Sequence, residues 1–574
     1  MMTNISQTSS SNRYFWLLAL ICCVTLFPFL GETLFNTRGE PREAVVALSM
    51  LQDGNWILPI NNGVDMAYKP PFFHWIVAGI STVVGGVSEY TSRMPSALAL
   101  SFMVLAGYAF YARRRGVEVA LLMALITLSN FEVHRAGVAC RVDMVLTLMM
   151  VLSLYQLYRW TERGLHGLPL WGVLCLSGAF LSKGPVGLVL PCLVVGVYSL
   201  LRGFPFWSTF GRFVLVALLS CLLPALWYVA AYEQGGQRFL DLVYEENVLR
   251  LMGKMSYESH VNPWPYNVMT IVAGFVPYTL LVLFSLFALR YPKLQWQPRR
   301  WWTKLTEHIR TVDGVRLFTF LSFAIIFVFY CIPKSKRSVY LLPVYPFLAY
   351  YLAEYLLWLK AHHRRVLAVF GWTLVGAALL LTLTFAVVRM GWVPDSLFGG
   401  RHAEQNLAML HALSDTPLSV LEWIGCPIPL ASVWVFCKVR RSARGLLYGA
   451  VAVVFSIFVS LDAVYQPLVL NTKSDKPQAE YIARVMPAGK VYSFRKDVVV
   501  GNALHPFTIN FYLGDRVVPF SAFMPRAGYL LMGEGDYEVF CSRYPDYQVS
   551  LVADFHHRSC DDRRMLYFYR FIKP

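Results

Sequence analysis

Long apolar stretches separated by short polar segments occupy most of the chain up to about residue 465. Each stretch has roughly the 17 to 25 residues that an α-helix needs to cross a bilayer. The pattern therefore predicts a polytopic α-helical membrane protein with about thirteen transmembrane helices. The predicted spans lie near residues 14–31, 92–112, 117–134, 144–160, 168–182, 185–201, 212–232, 266–290, 316–332, 338–358, 365–388, 419–437 and 446–464.

The segment Asn36–Pro71 breaks this pattern, because it is too polar to span a bilayer and too apolar to be a linker. Glu40 stands at a typical N-cap position, Gly54 suits a helix end, and apolar residues between them recur at helical spacing. We therefore predict a short amphipathic helix on the membrane surface. The next apolar run, residues 72–87, is predicted to be interfacial or re-entrant, and the alternative is a full span.

The pattern changes again after about residue 465, where the apolar runs end and short β-rich pieces alternate with turns. The chain is therefore predicted to have two domains, a transmembrane domain of residues 1–465 and a small α/β domain of residues 466–574. The predicted strands of the second domain are Lys490–Arg495, Tyr537–Cys541, Gln548–Phe555 and Met565–Phe571.

The composition agrees with a membrane protein. The 574 residues are 56% hydrophobic and 15% charged, whereas a typical soluble domain has about 25% charged residues. The net charge of +17 would suit nucleic-acid binding, but positive loops are also what membrane proteins keep on their cytoplasmic side. No folded basic domain with a recognition motif is visible, so we expect membrane lipids and no nucleic acid among the partners.

Clusters of positive charge also orient the helices. With the N-terminus inside and residues 72–87 not crossing, the main clusters all fall on the cytoplasmic side. These clusters are Arg113–Arg115, Arg159–Arg163, Arg290–Arg310, His362–Arg365 and Lys438–Arg444. The outer, periplasmic face then receives the first loop, residues 32–91 with its interfacial helices, and the C-terminal domain.

Three acidic residues, Glu40, Glu43 and Asp143, are predicted to lie at that outer face. Ionisable residues where a membrane meets water mark functional sites, and a carboxylate can take the proton of an attacking hydroxyl group. The simpler interpretation of Asp143 is structural, because an acid there would cap the helix that follows and pair with an arginine.

Lys334, Lys336 and Arg337 depart from the rule that positive loops stay on the cytoplasmic side. These three cations lie between two spans on the outer side. We predict that they bind an anionic phosphate, which is best held by several charged donors. Further cations assigned to the same phosphate are Arg42 and Lys69, with Lys183 and Arg250 as additional candidates. The alternative is that the long side chains contact lipid phosphates.

The polar cysteines and histidines give weaker signals. Cys541 and Cys560 lie in the C-terminal domain and could form a disulfide on an oxidising outer face. The segment His556–Asp562 has the composition of metal ligands but no standard zinc spacing, so no metal site is predicted. His74 and His260 stand alone and are interpreted as polar packing residues.

Several of these residues belong to motifs that resemble a known family. The motifs are Glu40-x-Arg42 with Gly54-Asn55-Trp56, Lys69-Pro70-Pro71, Arg93-x-Pro95-Ser96, Asp143, Leu181-Ser182-Lys183-Gly184-Pro185, Lys334-Ser335-Lys336 and Tyr340-x-x-Pro343-x-Tyr345-Pro346. In this order, over roughly residues 14–360, they resemble bacterial GT-C glycosyltransferases. The most similar groups are the aminoarabinose (lipid A) transferases and the related protein O-mannosyltransferase-like family 39.

The resemblance implies a thirteen-helix enzyme of the bacterial inner membrane with the GT-C fold. Such an enzyme transfers a sugar, with inversion, from a polyprenyl (undecaprenyl) phosphate to lipid A, a glycan or a protein at the periplasmic face. By that likeness Arg42 and Lys69 hold the lipid phosphate and Asp143 is an active-site acid. The family carries an Asp where this chain has Gly39, so Glu40, Asp143 and Glu43 all stay candidates for the base. No cofactor is clearly implied, and a divalent metal is possible but not indicated.

Two other classes of function also place charges at a membrane surface. One is a lipid-linked sugar transporter or flippase, which usually shows paired broken helices in two corresponding halves, and no such symmetry is visible in this sequence. The other is a non-catalytic envelope assembly protein, and the feature that favours it is Gly39 at the position of the family's Asp.

Overall fold

The computed structural model of the chain describes residues 2–249, 261–289, 311–400, 403–496 and 506–574, together with Met252 and Ile309. Within these residues a bundle of α-helices precedes a mixed β-sheet near the C-terminus. The helices of the first half are α1 (Met2–Leu26), α2 (Gly39–Asp53), α3 (Phe72–Val84), α4 (Glu89–Arg115), α5 (Val117–Leu128), α6 (Phe131–Gly137), α7 (Val142–Glu162), α8 (Leu170–Lys183), α9 (Val186–Leu201), α10 (Phe206–Ser220) and α11 (Leu222–Tyr244).

The second half of the bundle has shorter and more often broken helices. They are Tyr266–Gly274, Tyr278–Ala288, Gly314–Cys331, Tyr345–His362, Arg364–Arg389, Ala403–Asp415, Val420–Gly425, Ile428–Val439, Ala443–Ser460 and Gln466–Leu470. Two short π-helical segments, Glu245–Leu249 and Leu461–Tyr465, and a 3₁₀ segment, Ser338–Val344, extend helices next to them.

The predicted polytopic helical architecture is confirmed. By length and composition, six helices of the described residues are suited to cross a membrane, or up to nine if each bent pair is one span. All thirteen predicted spans overlap helices, but the number that cross stays a prediction. The predicted span 117–134 is broken between α5 and α6, which meet at 67°, where Asn130 caps α6 by accepting a hydrogen bond from the amide of Val133 (3.0 Å).

Charged contacts collect at one end of the bundle. At the C-terminal ends of α4 and α7, Arg114 forms an ion pair with Glu162 (2.6 Å). Nearby, Lys360 pairs with Glu118 (2.6 Å). Arg93 lies near the start of α4 and Asp143 near the start of α7. Both residues are therefore at the opposite end of the bundle, because α4 has 27 residues and an α-helix rises about 1.5 Å per residue.

The amphipathic helix predicted in the first loop is confirmed as α2. It ends at Gly54, whose φ of 66° is a left-handed conformation that favours glycine. The predicted cap is wrong, because Arg38 holds the N-cap position and Glu40 lies in the first turn with its side chain bound to Arg93. The next helix, α3, has 13 residues, and at about 20 Å it is shorter than the hydrocarbon core of a bilayer.

The C-terminal sheet has five strands in the order β4-β3-β5-β7-β6. Its strands are β3 (Val491–Phe494), β4 (Val517–Pro519), β5 (Ala527–Gly533), β6 (Gln548–Arg558) and β7 (Met565–Ile572), while β1 (Ile60–Asn61) and β2 (Asp65–Met66) form a small hairpin in the first loop. β3 runs parallel to β4 and β5, and β7 runs antiparallel to β5 and β6. Short helices flank the sheet, namely Lys476–Val485, Phe507–Tyr512, Phe520–Phe523 and Asp536–Arg543.

Three of the four predicted strands are confirmed as β3, β6 and β7. The predicted strand Tyr537–Cys541 is wrong, because these residues belong to the helix Asp536–Arg543. The Asp536 carboxylate accepts the amide hydrogen of Gly533 (2.9 Å) and fixes a turn, after which Phe540 packs against Phe494 with ring centroids 5.1 Å apart. A short apolar run does not by itself distinguish a strand from a helix.

The predicted disulfide is not formed, because Cys541 and Cys560 are both free thiols. Cys541 lies on the helix that replaces the predicted strand. The sulfur of Cys560 lies 3.2 Å from Oγ1 of Thr508, and its amide donates to the buried carboxylate of Asp475 (3.0 Å). In the described residues, no group of three or more His, Cys, Asp or Glu side chains is arranged to hold a metal ion.

The C-terminal part packs on the first loop through a buried polar cluster centred on Asp515. One carboxylate oxygen of Asp515 accepts the amide hydrogen of Asn62 (2.9 Å) and a side-chain hydrogen of Asn510 (2.6 Å). The other oxygen accepts the hydroxyl hydrogen of Ser49 on α2 (2.8 Å). Burial raises the pKa of the Asp515 carboxyl. The C-terminal segment therefore holds α2, the helix that carries three of the predicted site residues.

Candidate functional site

Glu40, which is partly buried, forms a bidentate ion pair with the buried Arg93 of α4. Nε of Arg93 donates to Oε1 (2.8 Å) and Nη2 donates to Oε2 (3.0 Å), while the amide of Cys140 donates to Oε1 (2.8 Å). Nη1 of Arg93 also donates to the carbonyl of Leu30 (2.8 Å). Burial acts to raise the pKa of the Glu40 carboxyl, but the charge and hydrogen bonds of Arg93 lower it overall. Both oxygens of Glu40 therefore already accept hydrogen bonds.

Glu43 lies one turn further along α2 and has two partners. Nη2 of Arg42 donates to its Oε1 (2.7 Å), and Nε2 of His74 lies 3.0 Å from its Oε2. Burial acts to raise the pKa of the Glu43 carboxyl, but the charge of Arg42 and the hydrogen bond with His74 bring it well below its usual value. His74 was interpreted as a packing residue, and it is also a hydrogen-bond partner of a candidate acid.

Asp143 is buried in the first turn of α7, where it forms an ion pair with Lys183 at the C-terminal end of α8. Lys183 donates to Oδ1, and in the described part of the chain Oδ2 has no hydrogen-bond partner. The ammonium nitrogen of Lys183 also lies 4.4 Å from the ring centroid of Tyr340, a distance at which a cation and an aromatic face attract. Of the three candidate acids, Asp143 is therefore the one with an oxygen that accepts no hydrogen bond from any described residue.

Lys69 precedes α3 and has a partly exposed side chain, 38% accessible. Its ammonium nitrogen lies 4.0 Å from the carboxylate of Glu246, in the π-helical segment that follows α11. Its charge also acts on Glu43 and lowers the pKa of that carboxyl. Lys69 therefore belongs electrostatically to the group of residues around Glu43.

The segment Lys334–Arg337 is held by backbone contacts with Asn262. Nζ of the buried Lys336 donates to the carbonyl of Asn262 (3.2 Å), whose side chain donates to the carbonyl of Lys336 (3.0 Å). Lys334 is exposed and Arg337 is partly buried. Tyr340, which follows, brings this segment beside Lys183. Arg250 and His260, which the sequence also singled out, lie outside the described residues.

The structure adds residues that the sequence did not assign to the site. Arg93 is the partner of Glu40, and its only signal was its place in a family motif. Arg141 lies against Gly39, since a Cβ built on that glycine would come within 2.5 Å of the guanidinium carbon. No spacing along the chain predicts this contact.

A cavity of about 510 Å³ opens beside the C-terminal end of α8. Its lining is mainly apolar, with residues from α8, the turn between α8 and α9, α11 and the π-helical segment. The lining includes Phe180, Pro185, Tyr228, Leu240, Tyr244 and Asn247. A mainly apolar cavity with a few polar groups in its lining is the usual form of a small-molecule site.

Comparison with known proteins finds one matching family model and several relatives. Residues 68–228 match the family model for dolichyl-phosphate-mannose-protein mannosyltransferase. An uncharacterized protein of Aquifex aeolicus (strain VF5) is 30% identical over 374 residues, which are 64% of this chain and 70% of that protein. An undecaprenyl phosphate-alpha-4-amino-4-deoxy-L-arabinose arabinosyl transferase 2 of Proteus mirabilis (strain HI4320) is 27% identical over 351 residues, 59% of this chain and 58% of that enzyme.

A solved structure extends the likeness to nearly the whole chain. The crystal structure of ArnT from Cupriavidus metallidurans bound to undecaprenyl phosphate superposes with a TM-score of 0.66 at 19% identity. The match covers 96% of this chain and 97% of ArnT, so the two chains share a fold. Together with the motifs and the relatives, this shows that the chain belongs to the GT-C glycosyltransferases of the ArnT and protein mannosyltransferase group.

Proposed function

We propose that this protein transfers a sugar from a polyprenyl (undecaprenyl) phosphate donor to an acceptor of the bacterial envelope. The acceptor is lipid A, a glycan or a protein at the periplasmic face of the inner membrane. Support comes from the arabinosyl transferase relative, whose name specifies an undecaprenyl-phosphate-linked sugar, and from the undecaprenyl phosphate bound to ArnT. We further propose thirteen transmembrane helices and a periplasmic α/β domain of residues 466–574.

The observation that carries the proposal is the second carboxylate oxygen of Asp143, which has no hydrogen-bond partner within the described ranges. A general base must accept a hydrogen bond from the hydroxyl group that it deprotonates. Oδ2 of Asp143 is free to do so, whereas both oxygens of Glu40 and of Glu43 already accept hydrogen bonds. We therefore assign the base to Asp143, and Glu40 and Glu43 to positioning the first turn of α2.

Lys183 has a supporting role toward the base. Its ammonium group donates to Oδ1 and supplies the counter-charge that a buried carboxylate needs. The contact with Tyr340 holds the ammonium group from its other side. A lysine held between a carboxylate and an aromatic ring fixes the direction in which Oδ2 points.

The leaving phosphate needs cations rather than a proton. Lys69, Lys334 and Arg337 are partly or fully accessible, so we assign them to the donor phosphate. Arg42 is bound to Glu43 but keeps 41% of its side chain accessible and can add a contact. Lys336 is buried against a backbone carbonyl, and we assign it to holding the segment in place.

The transfer then proceeds in one displacement. The acceptor oxygen attacks the anomeric carbon, the bond from that carbon to the phosphate oxygen breaks, and the hydroxyl proton passes to Asp143. The phosphate leaves with its negative charge, which the cations stabilise. Attack opposite the phosphate inverts the anomeric configuration. The apolar cavity beside α8 suits part of the prenyl chain or of a lipid acceptor.

The test is transfer of labelled sugar from a polyprenyl-phosphate-sugar pool to envelope material. Wild type is compared with Asp143→Ala, Glu40→Ala and Lys69→Ala after each variant is shown to be folded. We expect labelled product with wild type and loss of at least about a hundredfold with Asp143→Ala. No transfer by folded wild type, with the whole donor pool supplied, would favour a lipid transporter or an assembly protein.

A further inference from the structure

The first residue of α2 is a glycine for reasons of space. Gly39 is buried and helical, so its conformation does not require glycine. A Cβ at this position would lie 2.5 Å from Cζ and 3.1 Å from Nη1 of Arg141, and both distances are shorter than ordinary van der Waals contact. Gly39 therefore leaves room for the guanidinium group to lie directly against α2.

In the part of the chain that the structure describes, the guanidinium group of Arg141 is left without a partner of its own. Among the described residues it forms no hydrogen bond and no ion pair within 4 Å. Its charge contributes to the low pKa of Glu40, but the oxygens of that carboxylate are bound by Arg93 and by the amide of Cys140. Arg141 thus places five unused donors in a planar array that matches a phosphate or carboxylate.

We propose that Gly39 and Arg141 form a binding position for a phosphate-type oxyanion within the candidate site. Arg141 is the N-cap of α7, two residues before Asp143, and its guanidinium group lies against the first residue of α2. The inference rests on the proposed function for its ligand, which is either the phosphate of the lipid donor or an anionic group of the acceptor. Both present oxyanions to the same guanidinium group.

The experiment measures binding without turnover, in nanodiscs that contain the full-length protein. The probes are undecaprenyl phosphate and lipid A, with dephosphorylated lipid A as the neutral reference. The variants are Arg141→Gln, Arg141→Lys and Gly39→Asp, and the last supplies a carboxylate that pairs with Arg141 and competes with the ligand. The control is Arg444→Gln, which removes an exposed arginine 3.9 Å from Glu118.

Loss of one charge-assisted contact should weaken binding of a phosphate probe about tenfold in Arg141→Gln and Gly39→Asp. Arg141→Lys should recover part of the affinity, because it keeps the charge but loses the bidentate geometry. If binding of undecaprenyl phosphate is weakened, the anion is that of the donor. If only binding of lipid A is weakened, and dephosphorylated lipid A is unaffected, the anion is that of the acceptor.

Unchanged binding of both phosphate probes in Arg141→Gln and Gly39→Asp would overturn the inference, as would failure of the wild type to bind either probe. Failure of the proposed function gives a different result. In that case the wild type binds a phosphate probe in an Arg141-dependent manner but transfers no sugar.

Discussion

Lys183 and Asp143 meet across two helices, and the lysine engages only one of the two carboxylate oxygens. The side chain of Asp143 is 6% accessible, whereas that of Lys183 is 28% accessible. The buried acid therefore depends on the lysine for charge compensation, while its second oxygen stays available for a substrate. This asymmetry distinguishes Asp143 from the other two acids of the site.

The first prediction concerns the stability of this pair. Lys183→Met should lower the free energy of unfolding by about 1–3 kcal/mol, because it leaves a buried carboxylate without a counter-charge, with a discount for the partial exposure of the lysine. The double variant Asp143→Asn/Lys183→Met should recover most of that loss but no activity. Thermal unfolding of wild type, of the single variants Asp143→Asn and Lys183→Met and of the double variant, analysed as a double-mutant cycle, measures the coupling between the two side chains. Additive effects of the two substitutions would show that the interaction between Asp143 and Lys183 contributes nothing to the free energy of unfolding.

The second prediction separates Glu40 from the chemistry. Arg93→Met should lower the free energy of unfolding by about 3–5 kcal/mol, since it leaves a buried carboxylate uncompensated, and Glu40→Gln should cost less. Turnover per folded molecule of Glu40→Gln should stay within a few-fold of wild type. Arg114→Met is the control, because its partner Glu162 is 41% accessible. A Glu40→Gln variant with normal thermal stability and no turnover would show instead that Glu40 is catalytic.

The third prediction concerns the contact between the C-terminal part and the first loop. Asn510→Ala removes hydrogen bonds to Asp515 (2.6 Å), Asn62 (2.6 Å) and the amide of Val517 (2.7 Å). The free energy of unfolding should fall by about 1–3 kcal/mol, and the KM for the donor should rise because α2 loses support. Ser550→Ala, at an exposed position of β6, serves as the control. Equal KM values in the two variants would argue against a positioning role.

The fourth prediction is a pH dependence of stability that originates in the C-terminal sheet region. Burial and the charge of Asp475 raise the pKa of the Asp561 carboxyl to about 7. The folded state thus holds this proton more tightly than the unfolded state, whose Asp titrates near about 4. The stabilisation is therefore complete below about pH 4 and is lost as the pH rises to about 7.

Asp561→Asn should flatten this dependence of stability on pH, because the amide does not titrate. Its single oxygen can still accept one of the two hydrogen bonds that Thr508 donates to the two carboxylate oxygens. Thermal unfolding of the intact protein and of this variant, at several pH values between about 4.5 and 7.5, measures how stability depends on pH. Asp546→Asn, which changes an exposed acid, should leave the slope unchanged. A slope that persists in Asp561→Asn would assign it to another group.

The sequence predicted the helical bundle well because each span is a local apolar run. The helix α2 and its end at Gly54 were also predictable, since a left-handed stop leaves a local signal. The strand proposed over Tyr537–Cys541 was wrong because its conformation depends on a turn fixed by Asp536. Periodicity in five residues carries too little information to show this.

The candidate site was predicted as a set of residues but not as a set of contacts. Glu40 and Arg93 are 53 positions apart, and Asp143 and Lys183 are 40 apart. Such pairings depend on how helices pack, and no local pattern encodes them. The sequence consequently left Glu40 and Asp143 as candidates for the base, with Glu43 as a third, whereas the hydrogen bonds distinguish them.

The most direct test of the central claim is single-turnover transfer by Asp143→Asn. The variant keeps the size of the side chain and removes its negative charge, and binding of the polyprenyl-phosphate donor is measured in the same nanodiscs. We predict donor affinity within a few-fold of wild type and a rate of transfer lower by at least about a hundredfold. A rate close to that of wild type, with the variant folded and saturated with donor, would show that Asp143 is not the base.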